Sequence, residues 1–407
     1  MTELMKKIDS YRDDMIKTQI DLCALKAISP DSEGEGEYDK AQYVKKLVSF
    51  ADKIEEYDAK DERAKNGVRP NIIARIYGKD RSKAVWIMSH MDVVPEGDRN
   101  LWETDPFKAV VKDGKIYGRG VEDNQQAIVS SLFAAKAFKD LGIKPKYDLN
   151  LLFVSDEEMG SEYGLVFLLK EHRELFRKDD IYIVPDYGGP DGDEIEVAEK
   201  TALWLKFTIE GKQTHASLPG MGLNAHRAGS DLLLTVDKAL HEKYNTKSEL
   251  FLPPESTFEP TKREANVPNV NTIPGKDVFY FDCRVLPEYD PHEIHGHAKK
   301  AAEGMEKKYG VKINVDLELL QTGGKTPVTD PNSEGVKLLK EAIKKVYGID
   351  ARAIGIGGGT VAAFLRIEGF NACVWSKMDD VAHQANEYHA IDDLVGNAKV
   401  FAALASE

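Results

Sequence analysis

Apolar residues in the first half of the chain fall into two alternating rhythms. Residues 3–27 and 38–56 place Leu, Ile, Met and Val at helical spacing, so each stretch predicts a helix. Short apolar runs follow, NIIARIY at 71–77 and AVWIM within 84–89, and these read as buried strands. Residues 60–70, KDERAKNGVRP, read as an exposed loop. Around 108–117 the pattern alternates about Asp113-Gly114, a dipeptide suited to a tight hairpin turn. QQAIVSSLFAAKAFKDLG predicts a helix over 124–141, and DLNLLFVS (148–155) and IYIVP (181–185) predict strands. Apolar strands separated by helices imply a mostly parallel sheet covered on both faces.

Near residue 200 the rhythm changes. TALWLKFTIEGK, DVFYFDCRVLP (277–287) and VKINVDLELL (311–320) alternate apolar with polar, as half-exposed antiparallel strands do. Helical periodicity covers 222–242 and 291–309. After Gly323-Gly324 the first style returns, with a helix at 333–347, a strand at 372–376 and a helix at 391–405. The predicted fold class is α/β: a mostly parallel-sheet domain made of 1–199 and 323–407, interrupted by an inserted α+β domain at 200–322.

Composition narrows the function classes. A chain of 407 residues is long for one core and fits two domains. No run approaches the roughly 18–20 apolar residues of a membrane span. The N-terminal stretch lacks the apolar centre of a signal peptide, so a cytoplasmic protein is expected. A net charge of −14 argues against nucleic-acid or membrane partners and suits a pocket that gathers cations. Cys23, Cys283 and Cys373 lie far apart and form no C-x-x-C pair, so they are read as small buried hydrophobes.

The chemistry sits where apolar strands end. His90 and Asp92 follow AVWIM; Asp123 follows IYGRGVE; Glu157 and Glu158 follow LLFVSD; Asp186 follows IYIVP; His383 follows VWSKMDDVA. Strand carboxyl ends are where ligands bind in open α/β sheets. Singly, each group has a plain reading: Asp123 as a helix cap, Glu157-Glu158 as a solvated pair. Gathered in one place they would repel or lose solvent without a counter-charge, which divalent cations supply. Imidazole with carboxylate suits zinc, with cobalt or manganese as alternatives, and a shared carboxylate can bridge two ions.

SHMDVVPEGD, Trp102 with DPF, DGKIYGRGVEDN, SDEEMGS and AHQANEY, spread over residues 70–395, resemble the zinc-dependent acetylornithine deacetylase / succinyl-diaminopimelate desuccinylase / glutamate carboxypeptidase family, which includes aminoacylases and dipeptidases. The resemblance implies a metallohydrolase with two divalent ions. His90 and Asp186 would hold one, Glu158 and His383 the other, and Asp123 would bridge them. Asp92 would orient His90, and Glu157 would be the general base. The inserted domain would serve as lid and homodimer interface. There, GKQTHASLPGMGLNAH carries His215, implied to steady the oxyanion in a neighbouring subunit's site. Asn271 in NVNTIP and Arg284 in FDCRV are the implied carboxylate clamp, although a structural salt bridge is as good a reading of Arg284. GIGGGTVAAF resembles the substrate loop, with Gly358, Gly359 and Thr360 as candidates. Its Val361 stands where the carboxypeptidase branch often has an acid, which weakens transfer of that branch's specificity.

Other residues are set aside. His292, His295 and His297 open a helix without ligands at useful spacing and are read as solvent-facing. His226, His241 and His389 are read as non-ligands, and Trp86, Trp204 and Trp375 as core. Trp102 reads as packing rather than a pocket wall. The expected reaction is hydrolysis of an amide in an N-acyl amino acid by a metal-activated water. A metallopeptidase acting on short peptides is the alternative. A metal-dependent binding protein without chemistry is the third reading, disfavoured by the presence of Glu157.

Overall fold

The structure, a computed structural model, describes residues 2–406. It divides into two compact units, one of residues 2–197, 329–354 and 360–406, the other of 198–328 and 355–359.

The first unit is built on an eight-stranded sheet. Across it the strands run Lys53–Lys60, Val68–Ile76, Tyr147–Val154, Asp80–His90, Ile181–Val184, Ala372–Val374, Glu194–Glu199 and Arg352–Ile356. The centre is parallel: Asp80–His90 pairs parallel with Tyr147–Val154 and Ile181–Val184, and the latter with Ala372–Val374. Antiparallel pairings flank it on both sides. Ala84–His90 is buried at every position, because the parallel strand has both faces covered. Helices Gln126–Asp140 and Ile391–Ser406 pack together and are buried on nearly all sides, which explains why their sequences are so rich in Ala, Val and Leu. Each fully buried Ile or Leu here contributes about 1.5–3 kcal/mol. The parallel register sets the carboxyl ends of these strands side by side: His90 pairs with Val154, two and three residues before Asp156 and Glu157.

Local periodicity misplaced several elements. The first helix is two, Thr2–Asp9 and Arg12–Cys23, because the Ser10 hydroxyl turns back to the Lys7 carbonyl and ends the first. The second helix stops at Leu47, and Lys53–Lys60 is an antiparallel edge strand on Val68–Ile76. Its charged, half-exposed residues mimic a helix surface, and only the partner strand decides the matter. The loop at 60–70 ends early for the same reason, with Arg69 already in the sheet and fully buried. The hairpin forms at Val110–Lys112 and Lys115–Tyr117, with Asp113 and Gly114 both at positive φ in the turn. The short elements Leu165–Glu171, Glu194–Glu199, Arg352–Ile356 and Ala362–Ile367 left too few residues to show a period.

The second unit is a four-stranded antiparallel sheet ordered Thr257–Arg263, Lys276–Val285, Thr201–Glu210, Lys312–Leu320. Alternate residues Leu203, Leu205, Phe207 and Ile209 meet Phe279, Phe281 and Cys283 in one core. Helices Ala225–Lys243 and Pro291–Tyr309 close it with Leu232, Val236, Ile294 and Ala298. Thr257–Arg263 was not anticipated, because five of its seven residues are exposed and its apolar signal is weak. A two-stranded ribbon, Thr214–His215 with Thr272–Ile273, completes the unit.

Candidate metal centre

The site begins at the end of strand Asp80–His90. His90 is buried, and each of its ring nitrogens faces oxygen. Nδ1 lies 3.1 Å from the Asp92 carbonyl and 3.4 Å from Asp92 Oδ1. Nε2 lies 2.8 Å from Asp123 Oδ1 and 3.4 Å from Asp186 Oδ1. The other oxygen of Asp123 is 3.1 Å from His383 Nε2, which in turn is 3.0 Å from Glu158 Oε2. Residues from five separate stretches of chain are thus in direct contact. Asp123 is no helix cap; the helix begins at Gln126, three residues on.

Asp92 has a second contact that the sequence did not suggest. Its carboxylate accepts the backbone N–H groups of Glu157 (3.1 Å) and Glu158 (3.0 Å), so it ties the turn bearing both glutamates to the strand bearing His90. From the other side, buried Arg69 bonds Glu37 and lies 3.2 Å from Asp156, whose N–H also donates to Glu37. Gly164 shapes the far end of this turn: a Cβ there would sit 1.9 Å from the Ser155 carbonyl oxygen. Asn124, next to Asp123, donates to Asp186 Oδ1 at 2.6 Å. Glu122 and Glu387, also absent from the sequence reading, are fully buried beside these residues. Their one signal was adjacency, since they stand within the segments VEDN and ANEY.

The electrostatics follow from crowded carboxyls with little solvent. Burial, then the charge of Asp186, pushes Glu157 well above the carboxylate range. Burial and Asp123 push Glu158 up to about 7. Burial opposes a charged His90, but Asp186 and Asp123 outweigh it and hold the ring protonated. Hydrogen bonds to Asp123 and Glu158 raise His383 to about 10. Burial works against ionised Asp123, yet its bonds to His383 and His90 keep it well below the usual range. Crowding and burial thus make a full set of negative charges costly here without nearby positive charge. The donor atoms suit a metal in both kind and spacing. His90, Asp123 and Glu158 form one set whose ligand atoms all lie within 4.8 Å of one another, and His90, Glu157 and Asp186 form another. Imidazole and carboxylate are the ligands of zinc, cobalt and manganese. The thiols play no part: all three are buried, and burial pushes Cys23 and Cys373 up to about 12.

The remaining candidates lie mostly in the second unit. His215 is exposed, with Nδ1 2.7 Å from the Ser217 hydroxyl. The ribbon sets it beside Asn271, whose carbonyl accepts the Ala216 N–H at 2.9 Å. Arg284 is held by Asp282 (2.7 and 3.0 Å) and donates to the Gly357 carbonyl. Gly358 is exposed, and a Cβ on Gly359 would meet the Gln321 amide at 1.8 Å. Thr360, in the first unit, is buried and accepts the Ala362 N–H.

The histidines set aside have other partners. His292, His295 and His297 each bond a backbone carbonyl, and His295 and His297 are half-buried rather than solvent-facing. His226 pairs with Asp277, and His389 is buried 3.7 Å from Glu122. Trp102 is buried under the Arg119 guanidinium. Trp86 and Trp375 are core, whereas Trp204 is 42% exposed on the sheet of the second unit. Among the described residues no helix is long and apolar enough to cross a membrane.

Comparison with known proteins identifies a family. The profile of Peptidase family M20/M25/M40 matches residues 86–407. An uncharacterized metallohydrolase of Methanocaldococcus jannaschii is 46% identical over 404 residues, covering 96% of this chain and 98% of that one. A succinyl-diaminopimelate desuccinylase of a Sulfurovum species is 30% identical over 316 residues, covering 77% and 80%. In fold, the chain resembles a crystal structure from Bacillus subtilis described as a dinuclear metal binding peptidase. The TM-score is 0.69, identity is 15%, and 98% of each chain is covered.

Proposed function

This chain belongs to Peptidase family M20/M25/M40 and is a metal-dependent hydrolase, and from that premise we propose that it cleaves the amide bond of an N-acyl amino acid. The observation that carries the proposal is the contact of His90 with Asp123 and Asp186 and of His383 with Asp123 and Glu158, with Glu157 grouped beside His90 and Asp186. His90 and Asp186 would hold one divalent ion, Glu158 and His383 a second, with Asp123 shared between them; zinc suits these donors. When bound, such ions supply Lewis acidity, making a water acidic near neutral pH and polarising a carbonyl.

The chain's own residues do the rest. Glu157 would accept the proton of the attacking water and pass it to the departing nitrogen, as a carboxylate beside the reacting atoms can. Asp92 holds the Glu157 backbone and the His90 ring in one orientation. His215, from a neighbouring subunit of a homodimer formed through the second unit, would donate to the developing oxyanion. Asn271, Arg284, Gly358, Gly359 and Thr360 would bind the substrate's carboxylate end. For Arg284 that means exchanging or sharing Asp282.

The desuccinylase relative supports an acylated amino acid as substrate. A short peptide is the second reading, supported by the peptidase whose fold this chain shares. Hydrolysis of N-acetyl- and N-succinyl-amino acids beside dipeptides, with zinc or cobalt added, separates the two. Turnover of the acylated set is expected, and turnover of dipeptides alone would replace this reading with the second. Light scattering tests the dimer, and a monomer would remove the role of His215.

A further inference from the structure

Asp123 and His383 touch across 3.1 Å although they stand 260 positions apart in the chain. Asp123 falls within the short π-helical turn Val121–Gln125 but has non-helical φ and ψ, and His383 stands in neither a helix nor a strand. Asp123 lies in an irregular turn, and His383 has the left-handed φ of 62° that side chains rarely adopt. Something outside regular secondary structure must therefore hold both.

Two buried glutamates sit in the right places. Glu387, four residues after His383, is fully buried. Its Oε1 accepts the backbone N–H groups of Glu122 (2.9 Å) and Asp123 (3.1 Å). Its Oε2 accepts the Gly120 N–H (2.9 Å) and Arg119 Nη1 (2.7 Å). Glu122, one residue before Asp123, is also fully buried. Its carboxylate accepts the backbone N–H groups of Val381 (2.6 Å) and Asp379 (3.3 Å), which lead into His383. Arg119 adds a third tie, donating to the His383 carbonyl at 3.4 Å. The antiparallel pairing of Tyr388–Ala390 with Lys115–Tyr117 brings the two segments into this register.

We propose that Glu122 and Glu387 are a reciprocal pair of positioning residues that fix the Asp123–His383 contact, each gripping the backbone that leads to the other's neighbour. All four of their carboxylate oxygens are occupied by backbone N–H groups or Arg119. They are thus turned to the main chain and are not ligands. A carboxylate suits this task because it only accepts; the amide of glutamine would set an N–H₂ group against N–H donors. The same grip held by neutral groups would be weaker, since charge-assisted hydrogen bonds are roughly twice as strong as neutral ones. The pair acts on one side of the centre. It leaves Asp186, which Asn124 holds, and Glu157, which Asp92 holds, untouched.

The inference rests on the proposal that Asp123 and His383 hold an ion. The experiment titrates metal-free wild type, Glu387→Gln, Glu122→Gln and the double variant with Co²⁺, reading binding calorimetrically and coordination by visible absorption. His383→Ala marks which of two binding events involves His383. Each single variant should weaken that event about 10- to 100-fold and shift its absorption, and should weaken the other event clearly less, through shared Asp123 alone. The double variant should lose less than the product of the single losses, because both act on one contact. Thermal unfolding of the metal-free proteins shows that each is folded. Should Glu387→Gln not fold, Glu387→Asp keeps the charge but shortens the reach, and the same loss is expected. Variants that keep both affinities and the wild-type spectrum, or weaken both events alike, would overturn the pair. A wild type that binds no ion would overturn the metal reading itself, a different and recognisable outcome.

Discussion

At the scale of single residues, environment outweighs identity. Glu157 and Glu158 are neighbours of one type, yet Glu158 touches His383 while Glu157 lies among carboxyls, with Asp186 its strongest charge partner. Glu157→Gln removes the proton carrier while keeping shape, so kcat should fall by about 10²–10⁴ with bound metal unchanged by elemental analysis. Loss of metal in parallel with activity would make Glu157 a ligand instead. Lys40 offers a test of burial alone. It is 1% exposed, its ammonium has no hydrogen-bond partner among the described residues, and burial draws its pKa down from 10.5 to about 8. Between those values the unfolded chain keeps a proton that the folded chain has released. The stability this brings is complete above pH 10.5 and is lost as pH falls through 8. Lys40→Met should therefore gain on wild type in urea unfolding below pH 8, and the gain should shrink steadily toward pH 10.5. A gain that stays constant over this window would mean that folding leaves the Lys40 pKa unshifted.

At the scale of elements, the strands present the chemistry and the turns aim it. The parallel strands were legible because both faces are buried, so apolar residues run unbroken through Val85–Met88 and Leu151–Val154. The edge strand Lys53–Lys60 was illegible because its exposed, charged residues suit a helix surface equally well. The turn 155–164 depends on close backbone approach. Gly164→Ala would press a methyl into the Ser155 carbonyl and shift the segment carrying Glu157 and Glu158. It should cost about 1–3 kcal/mol in urea unfolding and lower activity as well. Normal stability together with normal activity would show that the turn yields freely.

At the scale of the whole molecule, the acids of the centre make folding and metal binding one equilibrium. With the ions removed, the carboxyls retain protons or pair with His90 and His383. Chelation should abolish hydrolysis and lower the unfolding temperature, and added Zn²⁺ or Co²⁺ should restore both. Ligand at 100 times its Kd would stabilise the native state by about 2.7 kcal/mol. An unfolding temperature indifferent to metal would contradict this linkage. The core of the second unit is built on Phe207, Phe279 and Phe281, and its packing rests on apolar contact.

The sequence alone determined the fold class, the change of style near residue 200, and which imidazoles and carboxylates stand at strand ends. Those features are written in local periodicity, where solvent acts on each residue almost independently. Tertiary structure alone decided that Asp123 meets both His90 and His383, that Asp92 also carries the Glu157 turn, and that Asp282 occupies Arg284. It alone placed Glu122 and Glu387 against backbone instead of solvent. The physical reason is range: a buried carboxylate chooses its partners among groups brought near by folding, and nothing in its immediate neighbours along the chain specifies them.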